Sequence, residues 1–363
     1  MPASANEILP QQAFPEIYVP PSRPLRVVAI GGGTGLSTLL RGFKHHVANP
    51  SGTVIGTAPL GEDPPYTISD LTAVVTVTDD GGSSGRLRED LNMLPPGDVR
   101  NCMVALSEDE HLLSRLFQYR FQQGDLEGHS FGNLFVAALT GITGDFAQAV
   151  QMSSQILATR GHIFPATNQN VTLAAHMDDG STVRGETNIT NSPHRILELM
   201  MDPPNAEPLP QTLEAIAKAD LVTLGPGSLY TSLITNLLVR SIPEALAATR
   251  AVRVFVCNLM TQANESIGLT AAQHIAKINQ HSRNVSQPLF DYALINTAPI
   301  SPALLAKYAL EGQTPIEVDL DAIRILGVEP IMGNFLHEGD LLRHDHDRVA
   351  EIAMDLALRR RPN

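Results

Sequence analysis

The stretch Leu25-Arg26-Val27-Val28-Ala29-Ile30-Gly31-Gly32-Gly33-Thr34-Gly35 decides how the rest of the chain is read. A short apolar run that stops at glycines reads as a strand buried on both faces, as in a parallel sheet. Leu36, Leu39, Leu40 and Phe43 follow at helical spacing, which predicts a helix over Leu36–His45. A strand, a glycine turn and a new helix present free N–H groups and a positive dipole end, the ingredients of a phosphate site. The dinucleotide fingerprint is absent, because after Gly31 and Gly33 the third glycine would fall at Leu36. A Gly-Lys-Ser/Thr run is absent too, which excludes a P-loop. Gly31, Gly32, Gly33, Thr34 and Gly35 are therefore expected to hold the phosphates of a nucleotide at the C-terminal edge of a parallel sheet.

Working outward, the same alternation recurs. Ala73–Thr78 reads as a second buried strand, and Asn101–Thr159 is helical almost throughout. Within it Leu112, Leu113, Leu116 and Phe117 are expected to share one face, and Leu134, Phe135, Ala138 and Leu139 another. Asn170–Met177 and Ser181–Ile189 flank Asp178-Asp179-Gly180 as a β-hairpin. Strands follow at Leu221–Leu224, Val252–Cys257 and Tyr292–Asn296, with an edge strand at Pro315–Val318. Helices are expected at Thr212–Lys218, Leu229–Val239, Leu269–Ile278, Ala303–Leu310 and Val349–Leu358. This order predicts an α/β fold, doubly wound on a mainly parallel sheet with a helical segment and a small antiparallel subdomain at about 162–192. Residues 25–363 then form a single domain. Residues 1–24 hold six prolines and three charged residues, and read as a disordered extension. The Gly/Pro/Thr-rich interval 49–70 reads as a surface insertion.

Bulk properties narrow the function. The 363 residues are 43% apolar and 17% charged, the profile of an ordinary soluble globular protein. A net charge of −13 argues against a general nucleic-acid binder, which needs a basic face. No apolar run reaches membrane-spanning length. The two cysteines, Cys102 and Cys257, sit in apolar surroundings and read as buried thiols. These features point to the cytoplasm.

Five further constellations fall at strand ends or helix starts. Asp79-Asp80-Gly81-Gly82-Ser83-Ser84-Gly85-Arg86 follows the second strand, where paired carboxylates suit a divalent cation such as Mg²⁺ or ribose hydroxyls. Pro95-Pro96-Gly97-Asp98-Val99-Arg100-Asn101 offers Arg100 to phosphate, with Asp98 read as a helix N-cap. Gly128-His129-Ser130-Phe131-Gly132-Asn133 places His129 and Asn133 as polar contacts and Ser130 as a cap. Gly225-Pro226-Gly227-Ser228 repeats the anion-binding turn. Asn258 and Gln262, after another strand, suit a base edge or sugar. Arg343-His344-Asp345-His346-Asp347 reads as a cap with solvated charges rather than a metal site, because no further ligand lies nearby in sequence. The catalytic residues of a turnover reaction are not identifiable from the sequence.

Taken together, the Gly-Gly-Gly-Thr-Gly, Asp-Asp-Gly-Gly-Ser-Ser-Gly-Arg, Pro-Pro-Gly-Asp-Val-Arg-Asn, Gly-His-Ser-Phe-Gly-Asn and Gly-Pro-Gly-Ser-Leu-Tyr-Thr-Ser motifs resemble the YvcK-like gluconeogenesis factors. These belong to the 2-phospholactate transferase superfamily. The resemblance runs from about Leu25 to the final helix. It implies a Rossmann-like fold, a cytoplasmic role in carbon metabolism and cell-shape maintenance, a bound UDP-sugar and self-association. It also implies protein partners in metabolism or cell-wall control. The alternative it leaves open is a metal-dependent transferase that cleaves a nucleotide-activated phosphoanhydride donor, with Asp79 and Asp80 as the metal ligands.

Overall fold

The computed structural model describes residues 24–48, 67–108, 112–282 and 285–360. The predicted N-terminal extension, up to residue 23, and most of the 49–70 insertion lie outside that set.

The first unit is β1 (Leu25–Gly31), α1 (Gly33–Lys44) and β2 (Ile68–Val75). The second strand thus starts five residues before the expected Ala73, and Thr76–Thr78 leave the sheet to enter the ligand edge. Next come α2 (Gly82–Leu91), α3 (Gly97–Leu106), α4 (Leu112–Gln118), α5 (Phe131–Thr143) and α6 (Phe146–Ile156). They lead to β3 (His162–Pro165), then β4 (Thr172–Met177), β5 (Thr182–Arg184), α7 (Glu186–Thr190) and β6 (Ile196–Asp202). The alternation resumes with α8 (Pro210–Lys218), β7 (Leu221–Leu224), a π-helical turn over Leu229–Ile234, α9 (Thr235–Leu237), α10 (Ile242–Ala248) and β8 (Val252–Val256). The chain ends with α11 (Ala271–His281), β9 (Tyr292–Asn296), α12 (Pro302–Ala309), α13 (Leu320–Ile325), β10 (Glu329–Gly333), the hairpin β11 (Leu336–Glu338)–β12 (Leu342–His344), and α14 (His346–Arg360).

Seven strands form one sheet in the order β10-β9-β8-β7-β1-β2-β3, and every pairing in it is parallel. The order reverses direction at β1, so the crevice beside β1 and β7 is the switch point where ligands of doubly wound sheets sit. Helices cover both faces. One apolar core joins Leu36, Leu40 and Phe43 of α1 to α3 and α14. The other joins Ile275 and Ile278 of α11 to Leu233 of the π turn and to the small sheet. Alternate residues of β1 feed the two sides: Val27 and Ala29 face the first core, Val28 and Ile30 the second.

Several local expectations shift. The antiparallel sheet has three strands in the order β5-β4-β6, so the expected hairpin gains Ile196–Asp202 as a partner. His162–Pro165 joins the main sheet instead, and Glu186–Thr190 is helical rather than extended. Pro315 makes only an isolated bridge to Met260, and the edge strand is β10. On α5 the fully buried residues are Gly132, Asn133, Val136, Ala137 and Leu139, while the expected Leu134 and Phe135 pack half-buried against the same core and Ala138 is exposed. The cause is close packing at Gly132, where an added Cβ would stand 2.8 Å from Arg100 Cγ. On α4 Phe117 is buried while Leu112 and Leu116 are exposed, and the Leu113 side chain lies outside the described set. Cys102 and Cys257 are free buried thiols, as expected. Among the described residues no helix is long and apolar enough to cross a membrane.

Candidate functional site

The strand order brings the Gly-rich turn against the Gly225–Ser228 turn. A Cβ on Gly35 would lie 2.2 Å from Pro226 O, so only glycine lets the two turns touch. Gly33 has φ +60°, a left-handed conformation that suits glycine. Gly31 ends β1, and its carbonyl accepts from Asn236 Nδ2 at 3.1 Å. Gly225 turns the chain after β7 with φ +86°. These two glycines shape the loops, while Gly32, Gly33, Thr34, Gly35, Gly227 and Ser228 line a cavity of about 480 Å³.

Asn258 and Gln262 complete that wall. Gly227 N donates to Asn258 Oδ1 (3.4 Å), Asn258 Nδ2 to Gln262 Oε1 (3.3 Å), and Gln262 Nε2 to Ser228 Oγ (3.0 Å). Part of their hydrogen-bonding capacity therefore fixes the turn, and the rest faces the cavity. Ser228 receives this bond instead of capping a helix. The far side of the cavity holds residues the motif reading left out: Ser232 from the π turn, Tyr308 from α12, Gln313, and Arg343 and His344 from β12. Short π turns recur at functional sites. Although the Cys257 carbonyl, 3.0 Å from Nε2, works in the opposite direction, burial pushes the pKa of His344 down to about 4. It is neutral at physiological pH, which leaves Arg343 as the cation among the cavity-lining residues.

A second group of polar residues lies behind the Gly-rich turn. Asp98 is no helix cap: Pro96 holds the cap position and no side chain caps α3. Its carboxylate instead accepts from Gly33 N–H, and Asp98 Oδ2 stands 2.9 Å from where a Gly32 Cβ would sit. Burial, and then the charge of Asp79, push its pKa up to about 6. Burial likewise raises Glu186 well above the carboxylate range, with Asp98 and Asp79 adding to the effect while Thr78 Oγ1 donates to it at 2.7 Å.

Asp79 and Asp80, expected as a pair, diverge. Asp79 Oδ1 accepts from Gly81 N at 3.0 Å, whereas Asp80 Oδ1 accepts from Thr187 N (2.8 Å) and Thr187 Oγ1 (2.6 Å). A divalent cation of the kind the resemblance implies therefore fits Asp79 with Asp98, whose crowded charges it would neutralise, better than Asp79 with Asp80. Ser83 lies not in a loop but in the first turn of α2. Its Oγ is 3.1 Å from His129 Nδ1 and accepts from Asn133 Nδ2 at 3.1 Å. Arg100 reaches Ser130 Oγ and Asn101 Oδ1, both at 2.7 Å, and so belongs to this inner network rather than to the phosphate cavity. Ser130 caps α5 as expected. Arg100 Nε and Asn133 Oδ1 are buried without a partner, which marks the network as unsatisfied.

Fold and site together define a doubly wound α/β protein with a glycine-lined cavity at the switch point and an acidic group behind it. The chain belongs to the family of 2-phospho-L-lactate transferase CofD, whose model matches residues 27–336. It is 43% identical over 333 residues to the gluconeogenesis factor of Bacillus subtilis, covering 91% of this chain and 98% of that one. It is 45% identical to the gluconeogenesis factor of Halalkalibacterium halodurans, over 91% of this chain and 95% of the relative. A crystal structure of a Bacillus halodurans protein superimposes with a TM-score of 0.83 at 44% identity, covering 92% of this chain and all of that one.

Proposed function

We propose that this protein is a regulatory gluconeogenesis factor of the cytoplasm that binds a UDP-sugar in the 480 Å³ cavity and acts in carbon metabolism and cell-shape maintenance. The carrying observation is the meeting of two glycine turns at the switch point, closed by Asn258, Gln262 and Arg343. Backbone N–H groups of Gly32, Thr34, Gly35 and Ser228 hold the diphosphate, since those of Gly33 and Gly227 already donate to Asp98 and Asn258, with Arg343 as the cation, and Asn258 and Gln262 read base or sugar. The names of the relatives support the metabolic role. Ligand binding regulates only if it favours one partner-competent state over another, through self-association or a protein partner. Calorimetric titration with UDP-sugars tests this reading. Saturable binding by the wild type that weakens at least tenfold in Ser228→Ala and in Gly33→Val supports it; equal binding by both variants overturns it.

A second reading, a phosphoanhydride-cleaving transferase, is favoured by the family match and by the Asp79–Asp98 pair. A Mg²⁺ ion held there would neutralise charge on a leaving phosphate. An acceptor hydroxyl would form the new P–O bond as the anhydride P–O bond breaks, its proton passing to solvent and the nucleotide half of the donor leaving as a phosphate monoester. Metal-dependent product from a nucleotide-activated donor, lost in Asp98→Asn, would establish it. Intact binding without turnover would dismiss it.

A further inference from the structure

The π turn keeps one hydroxyl back from the fold. Between Tyr230 and Asn236 every other polar side chain donates inward. Tyr230 Oη donates to Ile196 O (3.1 Å), Thr231 Oγ1 to Glu265 Oε1 (3.0 Å) and Thr235 Oγ1 to Tyr230 O (2.9 Å). Asn236 Nδ2 donates to Gly31 O (3.1 Å) and to Ser232 O (2.7 Å). Ser232 Oγ makes no such bond among the described residues, and Ser232 lines the cavity. It stands where the two glycine turns close on each other. A Cβ on Gly227 would lie 3.1 Å from Ser232 Cβ, one on Gly32 would lie 3.4 Å from it, and one on Gly33 would lie 3.9 Å from Ser232 Oγ.

That place is short of donors. Gly33 N–H is committed to Asp98 and Gly227 N–H to Asn258, so neither is free for an anion lying across the two turns. A plainer account makes Ser232 a small residue fitted between crowded glycines. Alanine would fill the gap as well, and that account gives the hydroxyl on the cavity side nothing to do. We propose that Ser232 Oγ–H donates to the diphosphate there, in place of the committed amides of Gly33 and Gly227, and that Asn236 positions it. The assignment rests on the reading of the cavity as a diphosphate site.

The π geometry gives the hydroxyl its reach. Leu233 N bonds back five residues to Ser228 O at 3.0 Å, so the turn is wider than an α-helical one and sets Ser232 against both glycine turns. Two side chains hold it in that form. Glu265 Oε2 accepts from Tyr230 N at 3.0 Å, at the start of the turn. Asn236 is fully buried, and its Nδ2 joins the Ser232 carbonyl to that of Gly31. One side chain thus pins the π turn to the end of β1, where the Gly-rich turn begins, across 205 positions of chain.

The test is calorimetric titration of the full chain with UDP and with UDP-glucose. Ser232→Ala should weaken both ligands by the same factor, about 10–100-fold, the worth of one hydrogen bond to a charged group. Ser232 is only half-buried, so the variant should unfold in urea as the wild type does. A loss confined to UDP-glucose would move the contact to the sugar and overturn the assignment. Asn236→Ala should weaken binding about tenfold in the wild-type background, and by less than about twofold where Ser232 is already alanine, because its effect passes through that hydroxyl. An equal loss in both backgrounds would reduce Asn236 to a structural residue and overturn its positioning role. Binding by Ser232→Ala that matches the wild type overturns this proposal alone. Absence of UDP and UDP-glucose binding by the wild type overturns it together with the diphosphate reading of the cavity.

Discussion

Asp98 carries a charge the fold tolerates poorly, because it is withdrawn from water and shares its surroundings with Asp79. Its folded-state pKa of about 6 lies above the 3.8 of the unfolded chain, so its stabilising share is complete below pH 3.8 and is lost as pH rises through 6. Asp98→Asn keeps an acceptor for Gly33 N–H and removes the charge. It should raise unliganded stability above pH 6 by on the order of 2 kcal/mol, with the gain vanishing near pH 4, as read from urea unfolding across that range. His344 acts in the opposite sense. Its pKa falls from 6.5 to about 4, so its share is present above pH 6.5 and is lost as pH falls through 4. His344→Gln should therefore flatten the acid limb of the stability profile, and an unchanged limb in thermal unfolding would argue against a buried neutral imidazole. The sequence shows Asp98 only as a polar residue at a helix start, where a cap is the expected role, because its partner Gly33 lies far back along the chain.

At the scale of elements, glycines separate contact from mere turn. Gly42→Ala would push a Cβ into His346 O, where the obstacle is backbone and cannot swing aside. It should cost roughly 1–3 kcal/mol and loosen α14 on α1. Gly141, on the exposed side of α5, meets nothing within 4 Å. Gly141→Ala should instead stabilise by about 0.5–1 kcal/mol through helix propensity. Chemical denaturation of the two variants side by side gives opposite signs if the α1–α14 crossing is as described. The helices and strands themselves were largely legible, β7 and β9 to the residue. The failures fell where tertiary packing overrides pattern. The most buried side of α5 brings Gly132 onto Arg100, and the helix expected over Leu229–Val239 forms over Leu229–Leu237 but opens with a π-helical stretch that carries Ser232 to the cavity.

For the whole molecule, the parallel sheet keeps two apolar cores apart. Phe43 and Ile275 lie on opposite faces and share no cluster. Phe43→Ala should cost about 3–5 kcal/mol and Ile275→Ala about 2–5 kcal/mol, and the double variant should show their sum within about 0.5 kcal/mol in urea denaturation. A marked departure from additivity would mean that the sheet transmits strain between its faces.

By itself the sequence determined the repeating unit: apolar strand, glycine turn, amphipathic helix. These are local matters, set by side-chain periodicity and by which residues tolerate a tight backbone turn. It also placed the Gly-rich turns at strand ends, which is where a doubly wound sheet binds ligands. Only the tertiary structure decided the order of strands, and with it the meeting of Gly35 with Pro226, of Asp98 with Gly33, and of His45 with Asp347. Each of those contacts joins residues far apart along the chain. Their approach depends on which apolar faces pair across the sheet, and no local pattern encodes that choice.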